Sequence, residues 1–141
     1  MPFADLHCDT LARIRKSRQQ GETLTLREAE SLHINLRKLK ESGYYLQNFA
    51  LYVDLKEEAD PWAAVLELAD LYRAETGANG DLLLPCRTFA DLEAARSAGK
   101  LAAVLTVEEG GVCRGELEKL RTLYEQGARM LTLNWHYENE L

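Results

Sequence analysis

The chain has 141 residues, 46% of them hydrophobic, with 23 acidic against 17 basic side chains and a formal net charge of -6. That is enough apolar material for one domain with a core, which excludes a disordered or fibrous chain, and the negative balance offers no basic field for nucleic acid. Cys8, Cys86 and Cys113 lack C-x-x-C spacing, so neither a disulfide framework nor a zinc knuckle is indicated.

The opening Met1-Pro2-Phe3-Ala4-Asp5 carries no signal sequence, and no window approaches the roughly 20 apolar residues of a membrane span. A soluble, cytoplasmic protein without membrane partners is expected. The apolar stretch Pro2–Leu6 reads as a strand and ends in His7-Cys8-Asp9. Alternation along a strand puts His7 and Asp9 on one side, where they can chelate an ion, and Cys8 on the other. By itself an H-x-D triplet also arises by chance, and a His so placed often serves as a surface residue.

Arg13, Arg15, Lys16 and Arg18 form a basic run that reads as a solvated face or loop, with contact to a substrate carboxylate as the alternative. Thr25 and Glu28 make a capping box for a predicted helix over 27–42, with Leu32, Leu36 and Leu39 inward and Gly43 as its stop. His33 in that helix packs or faces solvent. Asn48–Val53 is a predicted strand followed by Asp54, and Asp60-Pro61 opens a helix that ends at Gly77. Leu82–Leu84 is a short strand candidate, and Thr88–Ala98 a further helix.

Leu101–Val107 is apolar throughout, as a strand covered on both faces must be, and leads into Glu108-Glu109-Gly110-Gly111. Glu116–Gln126 is the last predicted helix, and Arg129–Asn134 the last strand, followed by Trp135 and His136. Strands alternating with helices predict an α/β chain with a parallel sheet and right-handed crossovers. Ligands in such folds sit at the carboxyl ends of the strands, where His7, Asp9, Asp54, Glu108 and Asn134 fall. Four good strands make about half of a (β/α)8 TIM-type barrel of roughly 250 residues, so residues 1–141 are expected to be the N-terminal half of one. A complete small doubly wound domain is the alternative.

Three motifs, Asp5-Leu6-His7-Cys8-Asp9-Thr10, Val107-Glu108-Glu109-Gly110-Gly111 and Leu131-Thr132-Leu133-Asn134-Trp135, together resemble the membrane dipeptidase family, also called renal dipeptidases. The resemblance implies two zinc ions, the first held by His7 and Asp9, with a Glu bridging both. A bridging carboxylate suits two cations roughly 3.5 to 4 Å apart, which repel unless negative oxygens lie between them. The family shows one Glu before Gly-Gly where this chain has two. Glu109 adjoins Gly110 as in the family, whereas Glu108 keeps an ungapped spacing to the downstream pattern, and Glu108 is the preferred bridge.

Trp135 stands where mammalian members carry an oxyanion-holding His, so that role is not transferred to His136. The resemblance implies further ligands from later strands, hence a complementary C-terminal fragment of the same barrel as a partner. The expected function is zinc-dependent hydrolysis of dipeptides through a metal-activated hydroxide. Alternatives are a metal-dependent amidohydrolase acting on a cyclic amide or lactone, and a non-catalytic binding module. Homo-oligomerisation is left open.

Overall fold

The computed structural model describes residues 3–140; Met1, Pro2 and Leu141 lie outside the described residues, and with Pro2 the predicted start of the first strand. In chain order the elements are β1 (Phe3–Asp5), α1 (Thr10–Gln19), α2 (Leu36–Glu41), β2 (Tyr44–Leu51), α3 (Pro61–Ala78), β3 (Leu83–Pro85) and α4 (Phe89–Ser97). Then follow β4 (Leu101–Val107), a 3-10 turn (Gly110–Cys113), α5 (Leu117–Gln126) and β5 (Ala128–Leu131). Every strand pairing is parallel, in the path β1-β2-β4, and both β3 and β5 pair with β4.

β3 lies beside Leu101–Ala103 and β5 beside Leu105–Val107, so the two share one edge of β4 in tandem. The succession of full layers is therefore β1, β2, β4, β5, and this is the N-terminal half of a (β/α)8 architecture. β2 and β4 form its centre, and their inward residues Phe49, Leu51, Leu105 and Val107 are buried. Among the described residues β1 and β5 each pair on one side only.

Three helices begin and end close to where their capping signals place them. Asp60 Oδ1 accepts from the amides of Trp62 and Ala63, each at 3.1 Å, and Pro61 occupies the first helical position of α3. Thr88 and Asp91 form a reciprocal capping box at α4. α5 ends at Gly127, whose φ of 112° would strain a residue bearing a Cβ. Tyr72 of α3 donates its hydroxyl to the Ala103 carbonyl at 2.9 Å, fixing that helix to the central strand.

The predicted helix over 27–42 is not formed. Only Leu36–Glu41 is helical, and its cap is Asn35, whose side chain accepts from the Lys38 amide and donates to the Ala29 carbonyl. Residues 26–35 instead close a loop: the amides of Leu36 and Arg37 donate to the carbonyls of Leu26 and Arg27. Buried Glu75 of α3 captures the Leu26 amide at 2.8 Å and Arg18 at 2.7 Å, an anchor that a local capping signal cannot outweigh. Leu26, Leu32, Leu36 and Leu39 are all buried, so the apolar stripe serves the core without a continuous helix.

The basic run 13–18, read as a solvated face or loop, is the solvated face of a helix. It belongs to α1, which buries Leu11 and Ile14 against the sheet. No helix among the described residues is long and apolar enough to cross a membrane.

Candidate metal centre

β1 is too short to carry His7 and Asp9 as alternating strand residues. Asp5 Oδ1 accepts from the His7 amide at 3.1 Å and turns the chain out of the strand. Cys8 then points inward, with 6% exposure, and its carbonyl accepts from the Ala50 amide of β2 at 3.0 Å. Burial pushes the Cys8 thiol up to about 11, so without a metal it stays protonated near neutral pH, and it is not among the converging ligand atoms. Asp9 is the residue before α1 but makes no capping hydrogen bond, which leaves its carboxylate to turn back towards His7.

Convergence thus arises from a strand exit followed by a helix start. His7 Nε2 lies 3.3 Å from Asp9 Oδ1 and 3.4 Å from Glu108 Oε2. Each of the three offers a ligand atom within 4.8 Å of the others. His7 and Asp9 are half exposed, while the Glu108 side chain retains 11% exposure. The Glu108 amide donates to the Leu51 carbonyl at 3.3 Å, continuing the β2–β4 ladder and holding this carboxylate beside the end of β2.

Glu108 Oε2 is buried with no hydrogen-bond partner. An orphaned carboxylate oxygen facing an imidazole nitrogen and a second carboxylate is what a cation would complete, and a mixed nitrogen and oxygen donor set suits zinc. Without a cation, burial, and next to it the charge of Asp9, push the Glu108 carboxyl up to about 7. In the metal-free protein this group binds a proton more tightly folded than unfolded. Its contribution to stability is therefore greatest in acid and is lost as pH rises from about 4.5 through about 7. Glu108→Gln should flatten this decline and, in chelator at pH 8, raise Tm above that of the native protein; an unchanged or lower Tm would contradict it.

Glu109 has a different environment. It is 2% exposed, and its two oxygens accept from the amides of Gly111, Trp135 and His136 and from Asn139 Nδ2, at 2.9 to 3.4 Å. Its donors occupy both oxygens, making it the post on which residues 135–139 hang. Gly111 sits beneath that segment; a Cβ there would lie 2.6 Å from Leu55 and 3.0 Å from Asn139 Cβ, which explains the second glycine.

The remaining rim residues pack around the loop. β5 ends at Leu131, so Asn134, Trp135 and His136 lie beyond the strand rather than in it. The Trp135 ring meets Tyr52 edge-on at 5.5 Å and stacks on His136 at 4.5 Å. Asp54 accepts from Tyr137 at 3.2 Å and from the Lys56 amide at 2.9 Å, and Lys56 lies 4.1 Å over the Tyr137 ring. Asp54 is thus occupied with the loop and is not among the converging ligands. Neither the Asp54–Tyr137 clasp nor the role of Glu109 has a local sequence signal, because each joins segments remote in the chain.

A parallel α/β half-barrel with a His, an Asp and a Glu converging at its carboxyl rim is the layout of a metal-site protein of the barrel class. The chain belongs to the membrane dipeptidase family (peptidase family M19), whose family model matches residues 1–141. The dipeptidase AC, a metallopeptidase of family M19, is similar in structure with TM-score 0.80 and 26% identity, over 96% of this chain and 43% of that one. A metallopeptidase from Rhodobacter sphaeroides, liganded with a phosphinate mimic of the dipeptide L-Ala-D-Ala, gives TM-score 0.79 and 24% identity over 96% and 46%. An amidohydrolase from Pseudomonas aeruginosa shares the fold at TM-score 0.66 and 15% identity, over 82% and 33%. The chain therefore spans less than half the length of these structures. A search of curated proteins found no match.

Proposed function

We propose that this chain supplies the amino-terminal half of a zinc-dependent dipeptidase, with His7 and Asp9 holding the first of two zinc ions and Glu108 bridging to the second. The observation that carries this reading is the buried Oε2 of Glu108, without a hydrogen-bond partner and 3.4 Å from His7 Nε2, in a chain of the membrane dipeptidase family. The dipeptide mimic held by the Rhodobacter sphaeroides metallopeptidase supports a dipeptide as substrate. Bound zinc lowers the pKa of water towards about 7 and polarises a peptide carbonyl.

The protein's own groups set the conditions for that chemistry. His7 and Asp9, half exposed, leave the centre open to a substrate from solvent, while the backbone of Glu108, tied to β2, limits how far its carboxylate can move. His7, Asp9 and Glu108 would hold one zinc and leave room for a water on it, and a second ion would need donors beyond this triad. Those donors are assigned to a complementary C-terminal portion of the same barrel, which would also cover the open sides of β1 and β5.

Chelation of the full-length protein should abolish dipeptide hydrolysis, and added zinc should restore it; turnover indifferent to chelator would defeat the reading. A parallel panel of cyclic amides and lactones separates dipeptidase from amidohydrolase chemistry. Stoichiometric zinc in the purified protein is unexpected for a binding module whose carboxylates are surface charge.

A further inference from the structure

On the α1 side of the triad lies a cleft of about 480 Å3, floored by residues 7–10 and walled by Arg13 and residues 31–34. Arg13, Ser31 and His33 are its lining side chains with free hydrogen-bond donors, and all three are exposed. Thr10 is already committed, donating to the Ile34 carbonyl.

The three arginines of α1 have different partners. Arg15 pairs with Glu58 and Glu67, and Arg18 with Glu75. Arg13 makes no side-chain hydrogen bond or ion pair to any described residue, and neither does His33. The Arg13 amide donates to the Asp9 carbonyl at 3.1 Å, so the two residues stand one turn apart on one face of the helix. They could pair, yet Asp9 Oδ1 is turned to His7, and the Arg13 guanidinium is left beside the candidate metal centre. In a chain of net charge -6 an unpaired guanidinium in a cleft is a place prepared for an external carboxylate, which its planar fork can bind through two hydrogen bonds.

We propose that this cleft is a specificity subsite for an acidic side chain, with Arg13 binding the carboxylate and His33 and Ser31 adding single hydrogen bonds. Dipeptides containing an aspartyl or glutamyl residue are then the preferred substrate class. This inference rests on the dipeptidase reading and extends it to substrate choice.

The test compares isosteric pairs, aspartyl-alanine against asparaginyl-alanine and alanyl-aspartate against alanyl-asparagine, on the full-length zinc-loaded protein. At least one acidic member should show a kcat/KM about tenfold or more above its amide, a ratio that Arg13→Ala brings near unity and Arg13→Lys partly restores. A native ratio near unity overturns the subsite. So does a ratio that survives Arg13→Ala, or a loss shared equally by acid and amide, which would mean that Arg13 reads the common α-carboxylate. Should no dipeptide be hydrolysed, the dipeptidase reading fails, and the subsite is judged by calorimetric titration with the same pairs. About tenfold tighter binding of an acidic member, lost in Arg13→Ala, sustains it; equal affinities overturn it.

Discussion

Glu108→Gln is expected to lower kcat/KM for dipeptides by on the order of a thousandfold or more and to release metal on dialysis, while leaving the protein folded. Removing a metal ligand costs more than the 10- to 100-fold typical of residues that merely orient ligands. The substitution keeps the shape of the side chain, removes the charge that the ion would neutralise and turns one acceptor oxygen into an NH2 donor. Its stability effect has the opposite sign to its activity effect, because a buried carboxylate beside Asp9, with one oxygen lacking a hydrogen-bond partner, is unfavourable until a cation arrives. Metal analysis after dialysis and steady-state kinetics check it; a variant that retains both zinc and native kcat/KM would remove Glu108 from the centre.

The adjacent residue should behave in the reverse way. Glu109→Ala takes away both acceptor oxygens from three backbone amides and the Asn139 side chain, in a place with 2% exposure. Leaving even two such donors unpaired costs about 3 kcal/mol, which for a domain of this size lowers Tm by on the order of 10 °C. Activity falls as well, through displacement of the 135–139 segment, and stabilising osmolytes should recover part of it. They should recover none in Glu108→Gln. Thermal unfolding of the two variants side by side decides the matter: a Glu109→Ala protein as stable as the native one would show that the loop does not depend on this carboxylate.

Much of the architecture was legible because its signals are local. Asp60-Pro61 and Gly127 each fix a helix boundary through atoms within four residues, and the unbroken apolar run of Leu101–Val107 identifies a strand covered on both faces. Residues 26–35 failed for the complementary reason. Leucines at 32, 36 and 39 satisfy helical spacing equally well when a loop buries them, and the deciding contacts, Glu75 with the Leu26 amide and Asn35 with Ala29, come from tertiary structure. α1 was obscured by its charge, since only Leu11 and Ile14 mark its buried face.

The candidate site divides along the same line. His7 and Asp9 stand out as a spaced pair, although a turn into α1 and not strand alternation brings them together. Between Glu108 and Glu109 the sequence offers only spacing, which favours Glu108 but gives no physical reason. The two differ in their supply of donors, none for one oxygen of Glu108 and four for the neighbouring carboxylate, three of which lie 26 to 30 residues further on.

β4 has ladder partners on both sides along nearly its whole length, β2 on one and β3 then β5 on the other, whereas β1 is three residues paired on one side. The two strands therefore belong to cooperative units of unequal depth. Amide exchange in β4 requires opening of the sheet's centre, while β1 can fray with that centre intact. Glu108 leaves from the deep unit and His7 from the shallow one, so the triad can come apart by a local excursion far smaller than unfolding. In residues 3–140 by themselves the residence time of anything held between them would follow the fraying of Phe3–Asp5, a route that a strand laid on the open side of β1 would close.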